Sequence, residues 1–187
     1  MLLRALILAL WTAAASAAEG LSVETTRRGT TVDVKAYALI DAEFATVWGT
    51  LTDYDHLSEF VPGMLSSRVL EHRGNTWTVE QRGETRFLFF SYPVAVTVLV
   101  TARPPSALGV RLLKGNLRRL DGGYRVEPAP GGKIALRWIG LIEPESLPPL
   151  LGELVMRANI ESQFTGMVRE IERREALRRG ARQSGVR

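Results

Sequence analysis

The sequence predicts an α+β fold in which a curved antiparallel sheet of about seven strands wraps around one long C-terminal helix. Three observations lead to this prediction: segments of alternating apolar and polar residues, short turns between them, and one long C-terminal stretch with helix signals. Because parallel neighbours need long crossovers, strands joined by short turns must be mostly antiparallel. Such a sheet curls as it twists, and an apolar helix can fill its concave side.

The first predicted strand covers Thr31–Ile40, where apolar residues alternate with polar ones. Asp41 is a natural N-cap for a helix from Ala42 to about Leu51, and Asp55 is a natural N-cap for a second short helix. The residues expected to face the core recur at helical spacing: Phe44, Val47, Trp48 and Leu51 in the first helix, and Leu57, Phe60 and Val61 in the second.

The middle of the chain is predicted to form further strands with turn residues between them. Gly74-Asn75 is a good hairpin turn, whereas Asp121-Gly122-Gly123 interrupts one of the strand patterns. The predicted strands are Ser66–His72, Thr76–Arg86, Val94–Ala102, Leu108–Lys114, Leu117–Glu127 and Lys133–Ile142.

The long helix is predicted from Ser146, a natural N-cap followed by Pro148 and Pro149, to about Arg179. Its apolar residues form two stripes with different directions, so either the helix bends or breaks near Ala158, or its leucine-rich half faces a cavity. The first stripe contains Leu147, Leu150, Leu151, Leu154, Val155 and Ala158, and the second contains Ile160, Phe164, Met167 and Ile171.

The first 18 residues have the layout of a secretory signal peptide: one arginine, an apolar run and small residues at Ala15–Ala18. We therefore expect an exported, periplasmic protein, with an uncleaved N-terminal anchor as the alternative. The chain has no cysteine, so no disulfide stabilises it. Its net charge of +4 comes mainly from a basic C-terminus. That pattern leaves weak contact with an anionic membrane open, and we expect no nucleic-acid partner.

Residues with catalytic or metal-binding chemistry are sparse. His56 and His72, the two histidines, lack a further ligand at metal-binding spacing, so no metal site is predicted. The acids of Asp53-Tyr54-Asp55 are better explained by helix capping than by catalysis. Nucleophile-elbow, phosphate-loop and dinucleotide motifs are absent from the sequence. We therefore predict no catalytic residue and no cofactor.

Two features instead suggest an apolar cavity. Consecutive apolar residues in Phe87–Pro93 point to both faces of a strand, which is typical of core packing, of the rim of a pocket or of a membrane contact. Gln81, Arg111 and Arg137 are polar residues inside strand patterns, and Gln81 shares its side with Trp77 and Val79. The candidate cavity-lining residues are Gln81, Phe87, Phe89, Leu147, Leu150, Leu151, Leu154, Val155 and Ala158.

Several short motifs resemble the START-like (SRPBCC) superfamily, and within it the polyketide cyclase/dehydrase and coenzyme Q-binding START branch. They are Ala45–Trp48, Leu51–Asp55, Phe60–Pro62, Ser67–Glu71, Val79–Gln81, Pro104-Pro105, Leu113–Gly115 and Leu147-Pro148. The resemblance covers roughly Thr31 to Arg174 and implies a helix-grip fold with a hydrophobic cavity between the sheet and the long helix. It transfers no catalytic residue to this chain.

The sequence thus divides into a signal peptide (1–18), an N-terminal segment (19–30), a START-like domain (31–176) and a basic tail (177–187) expected to be disordered. The expected function is binding or transport of a hydrophobic small molecule, such as a lipid, a quinone or a polyketide-like compound. Two alternatives remain: an aromatase/cyclase-type enzyme acting on a polyketide-like substrate, and a membrane-associated assembly factor. The resemblance does not decide between them, because the family's fold hosts carriers, cyclases and hydrolases alike.

Overall fold

The computed structural model describes residues 20–87, 90–145 and 152–184. In this part of the chain, eight antiparallel strands form one sheet in the order β1-β2-β8-β7-β6-β5-β4-β3. The strands are β1 Ser22–Arg28, β2 Thr31–Ile40, β3 Met64–Arg73, β4 Thr76–Phe87, β5 Phe90–Arg103, β6 Ala107–Gly115, β7 Leu117–Pro128 and β8 Ile134–Pro144. The helices are α1 Phe44–Leu51, α2 Leu57–Phe60 and the long α3 Gly152–Ser184. The predicted α+β helix-grip fold is confirmed.

One strand more than predicted is present. β1 lies in the segment 19–30, to which the sequence assigned no element, and it forms the edge of the sheet beside β2. Its sequence is mostly polar, and Val23 is its one buried residue. An edge strand with a single buried apolar side chain lacks the alternation by which the other strands are recognised.

The strands have an inner face toward α3 and an outer face toward solvent. On β2 the inner side chains are all buried, from Val32 through Val34 and Ala36 to Ile40. The middle of α3 closes this core with the apolar stripe predicted for it: Phe164, Met167 and Ile171 are buried together with Val168, and Ile160 is partly buried beside them. Val47 and Leu51 of α1 are buried as predicted, while Phe44 and Trp48 are half-buried at the edge of the same core.

The helix caps predicted at Asp41 and Asp55 are wrong. α1 begins after Glu43 without a side-chain cap, and Asp41 instead accepts a hydrogen bond of 2.7 Å from Arg179 of α3. Asp55 lies inside a short 3₁₀ turn, and its carboxylate accepts the backbone N–H of Val69 at 2.7 Å. Partners distant in sequence therefore outcompete the local capping bond for both carboxylates.

α3 is continuous from Gly152 to Ser184, so the described helix has no break at Ala158. At 1.5 Å per residue, its 33 residues span about 50 Å. The predicted start at Ser146, with Pro148 and Pro149, lies outside the described residues. Residues 177–184, expected to be disordered, are helical because the arginines of this turn bind acidic side chains, as described below.

Gly166 marks the closest approach of α3 to the end of α2. A Cβ atom added there would lie 2.4 Å from the carbonyl oxygen of Phe60 and 2.4 Å from Cδ of Pro62. Only glycine therefore allows this backbone contact. Gly180, about four turns further along the same helix, has nothing within 4 Å of such an atom.

Replacing these two glycines should have opposite effects. Gly166→Ala should destabilise the fold by about 1–3 kcal/mol, because the added methyl forces α3 away from α2. Gly180→Ala should stabilise it by about 0.5–1 kcal/mol, the usual gain for alanine over glycine inside a helix. Urea unfolding of both variants measures the difference. Equal effects of the two changes would contradict the close contact at Gly166.

Candidate ligand-binding site

The C-terminal half of α3 is held in place by a buried carboxylate. Glu175 is 2% exposed and accepts a hydrogen bond of 2.7 Å from the hydroxyl of Thr46 on α1. Arg178 and Arg179 on the next turn of α3 also donate to this carboxylate, the latter at 2.8 Å. The hydrogen bond from Arg178, together with the other donors, outweighs burial and lowers the pKa of Glu175 far below its ordinary value.

A second group of charges lies one turn and a half earlier on α3. Glu170 accepts hydrogen bonds from Arg173 at 2.6 Å and from Arg174 at 2.7 Å, and these lower its pKa to about 2 against the effect of burial. Arg174 also donates to Asp53 at 2.8 Å. Burial alone would raise the pKa of Asp53. The hydrogen bonds with His56 and Arg174 outweigh this effect, so the pKa of Asp53 is lowered. Asp53 is therefore engaged in fixing α3.

The inner face of the sheet is covered at one end and open at the other. At the covered end, the inward-facing side chains of Ala102, Leu108 and Leu136 are buried. Toward the open end, the inward-facing side chains of β6, β7 and β8 are only half-buried. The half-buried set contains Val110, Leu112, Leu117, Leu120, Tyr124 and Trp138, all packed beside the core. In this part of the molecule, the sheet presents a partly uncovered apolar surface on the side of α3.

Two aromatic rings lie on this surface. The rings of Tyr124 and Trp138, cross-strand partners on β7 and β8, are 4.7 Å apart and inclined at 57°. The indole of Trp138 lies over the next pair, Gly122 and Gly140, where added Cβ atoms would come within 2.8 and 3.1 Å of the ring. Gly122, one of the two glycines that interrupt the β7 pattern, and Gly140 of β8 are thus strand residues that make room for this ring.

Polar groups are present at the β3–β4 end of the inner face. Ser67 and Gln81 are cross-strand partners, and Gln81 faces inward with Val79, as predicted. The hydroxyls of Ser67 and Tyr54 are buried, and neither has a hydrogen-bond partner in the described part of the chain. An unpaired buried hydroxyl is costly, which favours a role for both in contact with water or a polar ligand group.

The predicted cavity-lining residues are only partly described. Gln81 lies on the inner face, Leu154 is 59% exposed, Val155 is half-buried and Ala158 is exposed on α3. Four of the predicted residues lie outside the described residues: Phe89, Leu147, Leu150 and Leu151. The side chain of Phe87 is not described either. The sequence did not single out Tyr124, Trp138 or their apolar neighbours. The alternation of apolar and polar residues in β6–β8 shows which side chains share a face of the sheet. Only the pairing register between the strands shows which of these side chains lie next to one another.

The remaining candidates have structural roles or face outward. His72 stacks on Trp77 with ring centroids 4.4 Å apart, and His56 contacts Asp53 at 2.6 Å, which raises the pKa of His56. Arg111 and Arg137 lie on the outer face. Among residues 20–87, 90–145 and 152–184, no group of three or more acidic, histidine or cysteine side chains is placed to hold a metal ion.

Comparison with protein families now identifies the fold. The family model "polyketide cyclase / dehydrase and lipid transport" matches residues 31–174. The chain belongs to this family. Comparison with curated protein sequences finds no match.

Solved structures with the same fold have very different functions. The Zhui aromatase/cyclase from Streptomyces sp. R1128 is 13% identical, with 79% of this chain and 95% of that chain covered and a TM-score of 0.65. The lipid transfer and protein localization domain of human StarD13 is 16% identical, with coverages of 83% and 86% and a TM-score of 0.65. A STAR-related lipid transfer protein from Xanthomonas axonopodis is 11% identical, with coverages of 82% and 99% and a TM-score of 0.59. At these identities the similarity shows the fold alone.

Neutralising Glu175 should loosen the attachment of α3. Removing one partner of a fully buried ion pair costs about 3–5 kcal/mol, but Arg179 is half exposed, so Glu175→Gln should cost about 2–3 kcal/mol. Because the folded-state pKa is lowered, the stabilisation is complete above the ordinary value of 4.5 and is lost as pH falls below it. Urea unfolding between pH 3 and 7 should therefore show a shallower acid loss in the variant.

Glu172→Gln is the matched control, because Glu172 is an exposed glutamate of the same helix. It should change the stability by less than about 0.5 kcal/mol. A loss of stability as large as that of Glu175→Gln would mean that the effect comes from the helix charge rather than from the buried carboxylate.

Proposed function

We propose that this protein binds or carries a hydrophobic small molecule between the inner face of the sheet and the N-terminal half of α3. The observation that favours this function is the open end of the inner face, where Leu112, Leu120 and Trp138 remain half-buried beside a complete core. Leu154 of α3 is also exposed. Apolar surface that the fold leaves uncovered is available to an apolar ligand.

The ligand would be stabilised chiefly by removal of its apolar surface from water, at roughly 25 cal/mol per Å². Its polar group would find partners in the buried hydroxyls of Tyr54 and Ser67 and in the amide of Gln81. A mainly apolar molecule with one polar end meets both conditions. Lipids, quinones and polyketide-like compounds are of this kind, and lipid transport is part of the description of the family.

An aromatase/cyclase-type activity is the second candidate, favoured by the same unpaired hydroxyls. Burial raises the pKa of Tyr54 and raises that of Tyr124 to about 12, so both phenols keep their protons at neutral pH. They could donate a hydrogen bond to a substrate carbonyl, but they are poor general bases. Binding needs no more than donors, whereas cyclisation needs a base as well. Binding therefore explains the described residues more fully.

The proposed location is outside the cytoplasm, on the strength of the signal-like sequence at 1–18, which lies outside the described residues. No helix in the described part of the chain combines the length and the apolar character needed to cross a bilayer. A carrier in the periplasm would need to reach membranes. Weak attraction of its basic surface to anionic lipid would serve that purpose, as it would for a membrane-associated assembly factor.

Filling the open end of the inner face should weaken ligand binding without unfolding the protein. Leu112→Trp places a larger ring where the side chain is half-buried, so it should reduce the affinity for Nile red, a neutral hydrophobic probe, about tenfold. Leu108→Trp is the control on the same strand and face, where Leu108 is 3% exposed. There the larger ring should destabilise the fold by about 1–3 kcal/mol.

Probe fluorescence and the urea midpoint are measured for both variants. If Leu112→Trp lowers the urea midpoint as much as Leu108→Trp and leaves the affinity unchanged, the inner face is an ordinary core and this function is excluded.

Processing of the N-terminus tests the location separately. The mature protein should begin at Ala18 or Glu19, because the small residues just before these positions suit a signal peptidase. N-terminal sequencing of the protein recovered from the periplasm of a Gram-negative expression host gives the answer. Recovery with Met1 intact in the membrane fraction would indicate an anchor instead.

A further inference from the structure

The outer face of the sheet contains a groove of about 430 Å³, on the side opposite the proposed ligand space. Small-molecule sites are typically about 300–1,000 Å³. Its lining includes Thr101, Arg103, Gly109, Gly123, Arg125 and Arg137, together with the exposed Ile139. The groove crosses four strands, from β5 to β8, and has an apolar floor with arginines along one edge.

The arginines are placed by the strand register. Arg137 pairs with Arg125, Arg125 with Ala107, and Ala107 with Arg103, so all four lie in one row across the sheet. Like charges directly opposite each other on neighbouring strands are destabilising. Arg137 is partly compensated, since it lies 3.4 Å from Glu127 and its guanidinium carbon is 5.0 Å from the centre of the Tyr37 ring.

Arg103 and Arg125 have no such compensation. In the described part of the chain neither side chain forms an ion pair or a hydrogen bond with another residue. Ala107 between them has the smallest side chain compatible with a strand, and two strand spacings put the arginine backbones about 10 Å apart. Both guanidinium groups can therefore reach a single anion above Ala107.

The floor of the groove is the neighbouring row, where Gly109 and Gly123 are cross-strand partners. Gly123 is required by the backbone, because an added Cβ would lie 2.4 Å from the carbonyl oxygen of Leu108. Gly109 is not required, since its nearest neighbour would be the Thr101 carbonyl oxygen at 3.8 Å. A glycine inside a strand weakens the strand. Where packing does not require the glycine, as at Gly109, its presence indicates a place where a ligand can approach the backbone closely.

We propose that this outer groove is a second binding site, for a phosphate-bearing small molecule. The phosphate group lies above Ala107 between Arg103 and Arg125, which donate to it in the bidentate geometry that guanidinium groups form with phosphate. The organic part of the ligand extends over Gly109 and Gly123 toward Ile139. The phosphate can belong to a soluble phosphate ester or to a phospholipid headgroup. The groove and the proposed inner space lie on opposite faces of the same strands.

Titration with phenyl phosphate, followed by amide chemical shifts in a phosphate-free buffer of low ionic strength, tests this site. The wild type should show saturable shifts centred on Gly109 and Gly123. Arg103→Gln and Arg125→Gln should each weaken binding about tenfold, by loss of one charged donor. Gly109→Val should abolish binding, because its side chain fills the groove while suiting a strand. Arg82→Gln, the same charge change at an exposed position of β4 outside the groove, should leave the affinity within twofold.

Thermal unfolding of each variant checks that the fold is retained. The affinity for Nile red should be unchanged in Gly109→Val, and this separates the outer site from the inner one. Flotation with vesicles of phosphatidylcholine alone or with phosphatidylglycerol distinguishes the two phosphate sources. Loss of vesicle binding in Gly109→Val supports a lipid headgroup, and phenyl phosphate binding without vesicle binding supports a soluble ester. Absence of saturable shifts, or equal weakening by Arg82→Gln, would overturn the proposal.

Discussion

The geometry of the protein depends on one buried carboxylate. Glu175 is almost fully enclosed, and an enclosed charge is tolerated only when donors surround it. Thr46 and two arginines of α3 satisfy that requirement, which joins the helix to α1. Arg179 extends the same network to Asp41, and Glu170 and Arg174 add a second attachment at Asp53. The C-terminal half of α3 is therefore fixed by charge as well as by its apolar stripe.

The charged contacts lie in the C-terminal half of α3, and apolar surface remains uncovered elsewhere in the molecule. On α3 itself Leu154 is exposed at the N-terminal end, as Leu177 is near the attached end. The half-buried residues of β6–β8 show the same pattern on the sheet. Strand alternation then gives the opposite face a different chemistry: Trp138 and Tyr124 point inward, and their neighbours Arg137 and Arg125 point outward. A register slip of one residue would exchange the two surfaces.

Sequence patterns predict the features of the fold that depend on neighbouring residues along the chain. β2 was predicted with its observed bounds, and Gln81 was assigned to the correct face, because alternation alone determines both. The caps at Asp41 and Asp55 were predicted wrongly because their partners, Arg179 and the amide of Val69, are distant in sequence. The aromatic pair and the arginine row were missed for a similar reason. Each is formed by cross-strand register, which no single strand pattern contains.

The distribution of acids bears on the choice between binding and catalysis. On β2 and on β4–β8, the acidic residues of the described strands alternate to the outer face: Asp33, Glu80, Glu84, Asp121, Glu127 and Glu143. The inner positions of these strands hold apolar, small and aromatic side chains, together with an amide and hydroxyl groups. The amide and the hydroxyl groups offer hydrogen-bond donors, but none of these side chains is a carboxylate base. Glu170 and Glu175 of α3 are occupied by arginines and have lowered pKa values, so they are weak bases. Within β2 and β4–β8, a proton-abstracting reaction would thus find no carboxylate base on the inner face, whereas an apolar ligand with one polar end needs only the donors present.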